Sequence, residues 1–174
     1  MELWDVIAEE AAQESPLWAE ALLPRRERQL EPVFSPLGDG RFALGIETIY
    51  EGYLLHYGRP RLFGAKDRNT ALLLGDYLYA HGLVRVAALE QPAAVAGLAE
   101  LISLCAFLRA EHAEGDGAGW AATAAVLADE DVLAGARDAL RGELDPAPLL
   151  ALARSAAGVA AVERALAAHT GRVR

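Results

Sequence analysis

The fold is decided by residues 47–89, which read ETIYEGYLLHYGRPRLFGAKDRNTALLLGDYLYAHGLVRVAAL. Apolar side chains recur in this stretch at helical spacing, and Gly58 and Pro60 interrupt the pattern once. Asp67 supplies an N-terminal cap for the helix that follows the interruption. The stretch therefore predicts two helices joined by a loop, the first of which covers about residues 41–57.

The rest of the chain continues the helical pattern in both directions. No segment alternates apolar and polar residues with the period of two that is typical of a strand. The sequence therefore predicts an all-α helical bundle that forms a single domain over residues 1–174. Further helices are expected at about 2–13, 16–24, 67–89, 92–114, 120–128, 130–141, 146–157 and 159–169, with a loop at 32–40 and a flexible glycine-rich loop at 115–119.

Composition limits the classes of function. A chain of 174 residues is long enough to bury a sizeable core, and its abundance of Ala and Leu favours closely packed helices. The net charge is −9, and the 16 basic residues form no continuous stripe. The nearest candidate, Arg25-Arg26-Glu27-Arg28, is short and interrupted by an acid. We therefore expect no nucleic-acid partner.

The number of cysteines and the length of the apolar runs indicate the cellular compartment of the protein. Cys105 is the single cysteine, so neither a disulfide framework nor a Cys-x-x-Cys metal site is possible. The longest apolar stretch, residues 71–89, is interrupted by Asp76, His81 and Arg85, which a bilayer span would not readily accept. No basic segment followed by an apolar run opens the chain. We therefore expect a cytoplasmic protein without a transmembrane span.

Residues 70–83 read TALLLGDYLYAHGL and follow a Gly58-Arg59-Pro60 loop. This segment resembles trans-polyprenyl diphosphate synthases, whose corresponding helix reads roughly A-x-L-x-G-D-x-L-x-A-x-A. The resemblance covers about residues 42–114 and implies a shortened isoprenoid-synthase-like fold. Asp76 matches an acid of that helix whose role in the family is mainly structural, so we expect it to be a buried acid with a hydrogen-bonding partner.

In that family an aspartate-rich motif, which holds magnesium against an allylic diphosphate, begins at the position of Glu47. Here the motif reads Glu47-Thr48-Ile49-Tyr50-Glu51. Glu47 and Glu51 are four residues apart, so on a helix both carboxylates lie on one face. Magnesium prefers oxygen ligands. The resemblance therefore suggests a vestigial metal site at Glu47 and Glu51; the alternative is two acids that face solvent or the arginines of a partner.

The other groups that bind diphosphate in the family are mostly missing. An arginine pair of the family falls on His56 and Tyr57, which leaves Arg59 as the candidate diphosphate ligand. The best match to a second aspartate-rich motif, residues 129–131, begins a helix, where acids are more simply explained by the helix dipole. Neutralising a diphosphate leaving group takes metals and cations together. We therefore expect no catalysis by the chain alone and no cofactor bound to it, with Mg²⁺ on a catalytic partner.

The resemblance implies a non-catalytic small subunit of a heterodimeric polyprenyl synthase, such as component 1 of heptaprenyl diphosphate synthase. Such a subunit shapes the active site and product tunnel of its partner. The alternatives are a homodimer, a stand-alone isoprenoid-binding protein, and a divergent metal-dependent prenyltransferase or terpene cyclase that uses Glu47 and Glu51. Aromatic residues are enriched at interfaces, so the interface is expected at Tyr50, Tyr53, Tyr57, Tyr77 and Tyr79, and the tunnel lining at Leu72, Leu73, Tyr77 and Phe107.

Overall fold

The computed structural model describes residues 2–173, without the side chain of Glu130. Over these residues the chain is helical and has no strand, which confirms the predicted all-α fold. Short 3₁₀ turns occupy Arg25–Glu27, Ser35–Leu37 and Gly40–Phe42. The α-helices of the described chain are α1 (Leu3–Glu14), α2 (Pro16–Ala21), α3 (Ala43–Tyr57), α4 (Arg68–Ala87), α5 (Pro92–Ala110), α6 (Asp116–Ala125), α7 (Glu130–Glu143), α8 (Ala147–Ala157) and α9 (Val159–Thr170).

Helices α3 and α4 form the tightest pair in the bundle, because glycines let their backbones approach. A Cβ atom on Gly52 of α3 would lie 2.8 Å from the carbonyl oxygen of Gly75 on α4. About two turns along each helix, a Cβ on Gly82 would lie 3.1 Å from the carbonyl oxygen of Gly45. Real Cβ atoms essentially never lie as close as 2.8 Å and seldom as close as 3.1 Å, so these glycines allow the two helices to approach this closely. As a result α3 is buried along almost its whole length.

The apolar side chains form two separate cores. The main core gathers residues of α3, α5, α6, α8 and α9 around Trp120 and Phe34. A second, smaller core lies where α1 and α2 cover α3 and α4, and it includes Trp4, Phe63 and Leu74. The two N-terminal helices therefore have an apolar core that is distinct from that of the bundle.

Three distant segments of the chain meet at the loop between α3 and α4. The amide of Leu23 donates to the carbonyl of Leu62 over 2.9 Å. From the other end of the chain, the carbonyl of Arg172 accepts from the amide of Arg59 over 2.9 Å, and the Arg59 guanidinium donates to the carbonyl of Gly171. These hydrogen bonds attach residues 58–63 to both distant segments although the loop has no regular secondary structure.

The predicted glycine-rich loop at 115–119 is wrong, because α6 already begins at Asp116. Gly115 has φ 121°, a left-handed conformation that favours glycine, and it separates α5 from α6. Gly117 and Gly119 lie inside α6, where a Cβ on Gly117 would lie 3.0 Å from the ring of His169. These two glycines permit close helix packing and do not provide flexibility.

Among the described residues, α5 is the one helix long and apolar enough to cross a membrane by length and composition. This is a weak indication, because the core helix of a soluble bundle passes the same test. The inward face of α5, which includes Leu98, Leu101 and Leu104, is part of the main core.

Candidate functional site

The two candidate metal ligands, Glu47 and Glu51, lie inside the protein. Both are fully buried on α3, and between them lies the guanidinium of Arg61, which is also fully buried. Arg61 Nη1 is 2.5 Å from Glu47 Oε2, and Arg61 Nε is 3.0 Å from Glu51 Oε2. We call this group, Glu47, Glu51 and Arg61, the carboxylate clamp.

Backbone amides satisfy the remaining oxygens of the clamp. Glu47 Oε1 accepts from the amides of Val33 and Ser35 over 3.1 and 3.0 Å. Glu51 Oε1 accepts from the amides of residues 61 and 62 over 2.8 and 2.7 Å. The clamp therefore fixes the two loops that flank α3, since each carboxylate binds the backbone of one of them.

Two aromatic rings cover the cation of the clamp. The guanidinium carbon of Arg61 lies 4.6 Å from the centre of the Trp4 ring and 4.9 Å from that of Tyr50. Trp4 belongs to α1, so the N-terminal helix shields the clamp from water. Such contacts attract a cation most strongly when it is desolvated, as Arg61 is here.

The clamp corrects both expectations for Glu47 and Glu51. Every carboxylate oxygen already accepts from a nitrogen donor, and a dication would have to displace the adjacent Arg61 charge. The pair is therefore not a metal site, and it faces neither solvent nor an arginine of a partner. Among the described residues, no group of three or more His, Cys, Asp or Glu side chains is placed to hold a metal ion.

A second buried polar group connects α3 with the C-terminal half of the chain. Asp116 accepts a hydrogen bond from the Tyr53 hydroxyl and another from the Arg109 guanidinium. Asp116 Oδ1 is 3.6 Å from Nε2 of His169, and Nδ1 of His169 is 2.9 Å from the Tyr50 hydroxyl. We call these five residues the tyrosine–histidine network.

Burial and charge set the proton affinities in the network. Burial alone would raise the pKa of Asp116, but the hydrogen bond from Tyr53 and the nearby His169 and Arg109 outweigh it and hold that pKa well below its usual range. Burial also raises the pKa of the Tyr53 hydroxyl, and the charge of Asp116 raises it further. The network therefore contains an ionised acid and un-ionised tyrosines at neutral pH.

Two of the five predicted interface tyrosines are in the wrong place for an interface. Tyr50 and Tyr53 are fully buried and stack on each other with ring centres 5.8 Å apart. A partner could not reach them without opening the main core. Tyr57, Tyr77 and Tyr79 are half-buried, which leaves part of each ring accessible.

The four candidate tunnel residues do not line a common cavity. Tyr77 packs in the second core, with its ring centre 6.0 Å from that of Trp18. Phe107 packs against the main core instead, and Leu73 is 58% exposed. Leu72, on the same helix as Tyr77, is half-buried. The four side chains therefore do not form a tunnel within this chain, and their role in lining the tunnel of a partner stays a prediction.

Asp76 and Arg59 both lie at the surface. Asp76 was expected to be a buried structural acid, but its side chain is 69% exposed and lies 3.1 Å from Nε2 of His56. Burial lowers the pKa of His56 more than the neighbouring Asp76 raises it. Arg59 lines a shallow cleft together with Arg172, and its guanidinium binds the end of α9.

The outer side of α4 and α5 is a surface of a different kind. Most of the exposed residues of these two helices are small or aliphatic, and Leu73 and Val84 are 58% and 65% exposed. The two charged residues of α5 lie off this surface: Glu100, near mid-helix, pairs with Arg141, and Arg109, in the last turn, pairs with Asp116. We call this surface the α4–α5 face; it consists of Leu73, Ala80, Val84 and Ala87 on α4 and of Ala96, Ala99, Ser103 and Ala106 on α5, with Asp76 at its edge.

Sequence reasoning missed the partners in both polar groups. A signal for Arg61 was present, because two glutamates in a helix of otherwise apolar residues require an internal cation. No comparable signal pointed to Asp116 and His169, which lie in an alanine-rich region at no motif spacing. Their partner Tyr50 is 119 residues from His169 in the sequence.

Comparison of the chain with family models, with curated proteins and with solved structures gave no match. The roles of these residues therefore rest on the geometry described above.

Proposed function

We propose that this chain is a non-catalytic helical subunit that binds a catalytic trans-polyprenyl diphosphate synthase through its α4–α5 face. The observation that carries the proposal is the α4–α5 face, which is uncharged apart from Asp76 at its edge, on a protein whose net charge is −9. Charged residues are depleted at the centres of protein interfaces. An acidic protein that leaves one face uncharged has a surface suited to another subunit.

The size of the face fits a specific interface. Helix α4 has 20 residues and α5 has 19, so each is about 30 Å long. Neighbouring helices lie about 8–10 Å apart, so the two together present roughly 600 Å². A partner that covers this area would bury about 1,200 Å² in total, which reaches the lower limit of standard interfaces.

The carboxylate clamp supports the non-catalytic part of the proposal. The residues at the position of the family's first aspartate-rich motif are bonded internally to Arg61. The chain thus uses this part of α3 for stability, and metal-assisted diphosphate chemistry is left to the partner. Mg²⁺ and both diphosphate sites would then belong to the catalytic subunit.

The test is co-sedimentation with a synthase that carries both aspartate-rich motifs and is encoded beside this chain. Val84→Asp places a charge on the face, where Val84 is 65% exposed, and we expect it to weaken association at least about tenfold. The matched control is Val159→Asp on α9, since Val159 is 59% exposed and lies outside the face. Equal loss in both variants, or no association of the unmodified chain, would refute the proposal.

An activity assay tests the catalytic half separately. The purified chain, given Mg²⁺, an allylic diphosphate and isopentenyl diphosphate, should form no product. Turnover by the chain alone would contradict the assignment even if the α4–α5 face proved to be an interface.

A further inference from the structure

A cleft of about 530 Å³ lies between the end of α3, the loop at 58–67 and the start of α4. The apolar side chains of Leu55 and Phe63 lie at its base and are almost fully buried, at 8% and 1% exposed. The half-buried ring of Tyr57 and the methyl group of Ala71 continue the apolar wall. The interior of the cleft therefore suits an apolar group.

The solvent side of the same cleft carries cations. Lys66, the single lysine of the chain, lines the cleft with its side chain 77% exposed. Lys66 pairs with Glu20 at 3.4 Å, and because both side chains are exposed this ion pair is weak. Arg68, also on the cleft, has no carboxylate of the described residues within ion-pair distance.

The backbone adds to the positive potential at this position. Arg68 is the first residue of the 20-residue helix α4, so the positive end of the helix dipole faces the cleft. The acid in the cleft, Asp67, is engaged as the N-cap and accepts from the amide and hydroxyl of Thr70 over 2.9 and 2.7 Å. An anion would thus meet Arg68 and Lys66, of which Lys66 is held only by its weak pair with Glu20, beside a carboxylate that already has hydrogen-bonding partners.

We infer that this cleft binds an amphipathic organic anion, with the apolar part against Tyr57 and Ala71 and an oxyanion head at Lys66 and Arg68. Phosphate and carboxylate heads share the chemistry that these cations recognise. The inference is independent of the α4–α5 face, which lies elsewhere on α4.

The experiment is isothermal titration calorimetry with alkyl phosphates of six, eight and ten carbons below their micelle concentrations. Affinity should rise by up to about fourfold for each added CH₂ group, since each buried methylene contributes about 0.8 kcal/mol. Octanol, which lacks the head, and inorganic phosphate, which lacks the chain, should each bind far more weakly than octyl phosphate. Octanoate in place of octyl phosphate distinguishes a carboxylate from a phosphate head.

Lys66→Gln and Arg68→Gln should each weaken octyl phosphate binding about tenfold, because each removes a charge-assisted contact. Both side chains are exposed, so both variants should melt at the temperature of the unmodified protein by circular dichroism. The matched control is Arg41→Gln, since Arg41 is exposed at the opposite end of α3, about 20 Å away. Binding that is unsaturable, independent of chain length, or equal in all three variants would overturn the inference.

Discussion

The carboxylate clamp and the tyrosine–histidine network both depend on α3, yet they stabilise the fold in different ways. In the clamp, the side chains of Glu47 and Glu51 contact residues 10 to 14 positions away in the sequence, and the cation is an arginine that stays charged. In the network, Tyr53 contacts Asp116, which is 63 positions away in the sequence. Tyr50 contacts His169, which is 119 positions away, so the partners include a histidine. The clamp fixes the two loops that flank α3 through a cation that does not titrate. The network attaches the C-terminal helices through groups that do titrate.

From this difference we infer which part of the molecule the clamp and the network each stabilise. The clamp lies at the junction of α1, α3 and both loops that flank α3, so its loss affects the centre of the fold. The network holds α6 and α9 against α3, so its loss first affects the attachment of the C-terminal region. Variants of the two groups should therefore differ in the extent of unfolding as well as in its free energy.

The largest effect is expected for Arg61→Ala. The substitution leaves Glu47 and Glu51 buried without their cation, and breaking a buried pair in this way costs about 3–5 kcal/mol. Urea denaturation followed by circular dichroism measures the loss. Arg154→Ala is the control, because Arg154 pairs with Glu163 at the surface and should change stability by about 0–1 kcal/mol. A similar small loss for both variants would show that the clamp is not a stabilising element.

Asp116→Asn should have the next largest effect. It weakens the charge-assisted bonds from Tyr53 and Arg109, and we expect a loss on the order of 2 kcal/mol. Hydrogen exchange should become faster in α9 before it does in α3 and α4. Uniformly faster exchange through the whole chain would contradict the local role given to the network.

Because Asp116 is ionised in the folded protein, we also expect a loss of stability in acid. The folded-state pKa of Asp116 is held below its unfolded value of about 3.9, so its contribution is fully present above that value and is lost as pH falls below it. Between about pH 4 and pH 2 the free energy of unfolding should fall more steeply for the unmodified protein than for Asp116→Asn. Parallel curves for the two proteins would assign the acid sensitivity to other carboxylates.

The smallest effect is expected for Tyr50→Phe. The change removes the hydroxyl that lies 2.9 Å from His169 but keeps the ring over Arg61, so the loss should be about 1 kcal/mol. The melting temperature of Tyr50→Phe is compared with that of Tyr57→Phe. The hydroxyl of Tyr57 is not part of the tyrosine–histidine network. An equal loss in the two variants would mean that the histidine contact adds nothing.

Much of the helical fold was predictable because its signals are local. The predicted cap at Asp67 is confirmed by its bond to the amide of Thr70, and Ser15 and Pro16 begin α2 as expected. Helix α5 ends at Ala110, a few residues earlier than predicted, and His112 just beyond it has a positive φ. Such ends depend on packing, which the local sequence does not specify.

The site was less predictable because its contacts are mostly not local. The glutamates were recognised, but their partner Arg61 follows a proline in a loop that helix periodicity does not position. Tyr50 and Tyr53 were placed at an interface because aromatic residues on a helix can face either a core or a partner. The structure shows that the rings of Tyr50 and Tyr53 are interior, because both pack against Trp120, which itself stacks on Phe34. These contacts are not visible in the local sequence.

The attachment of residues 171–173 to the loop after α3 has a consequence for biosynthesis. Arg59 and Gly171, which share a hydrogen bond, are 112 residues apart. At about 5–20 residues per second, a ribosome makes the second partner roughly 6–22 s after the first. During that interval α3 and α4 can already pair through their glycines, while the loop between them still lacks the contacts that fix it. The nascent chain thus exposes this loop to chaperones and proteases until Gly171 has been made and can bind Arg59.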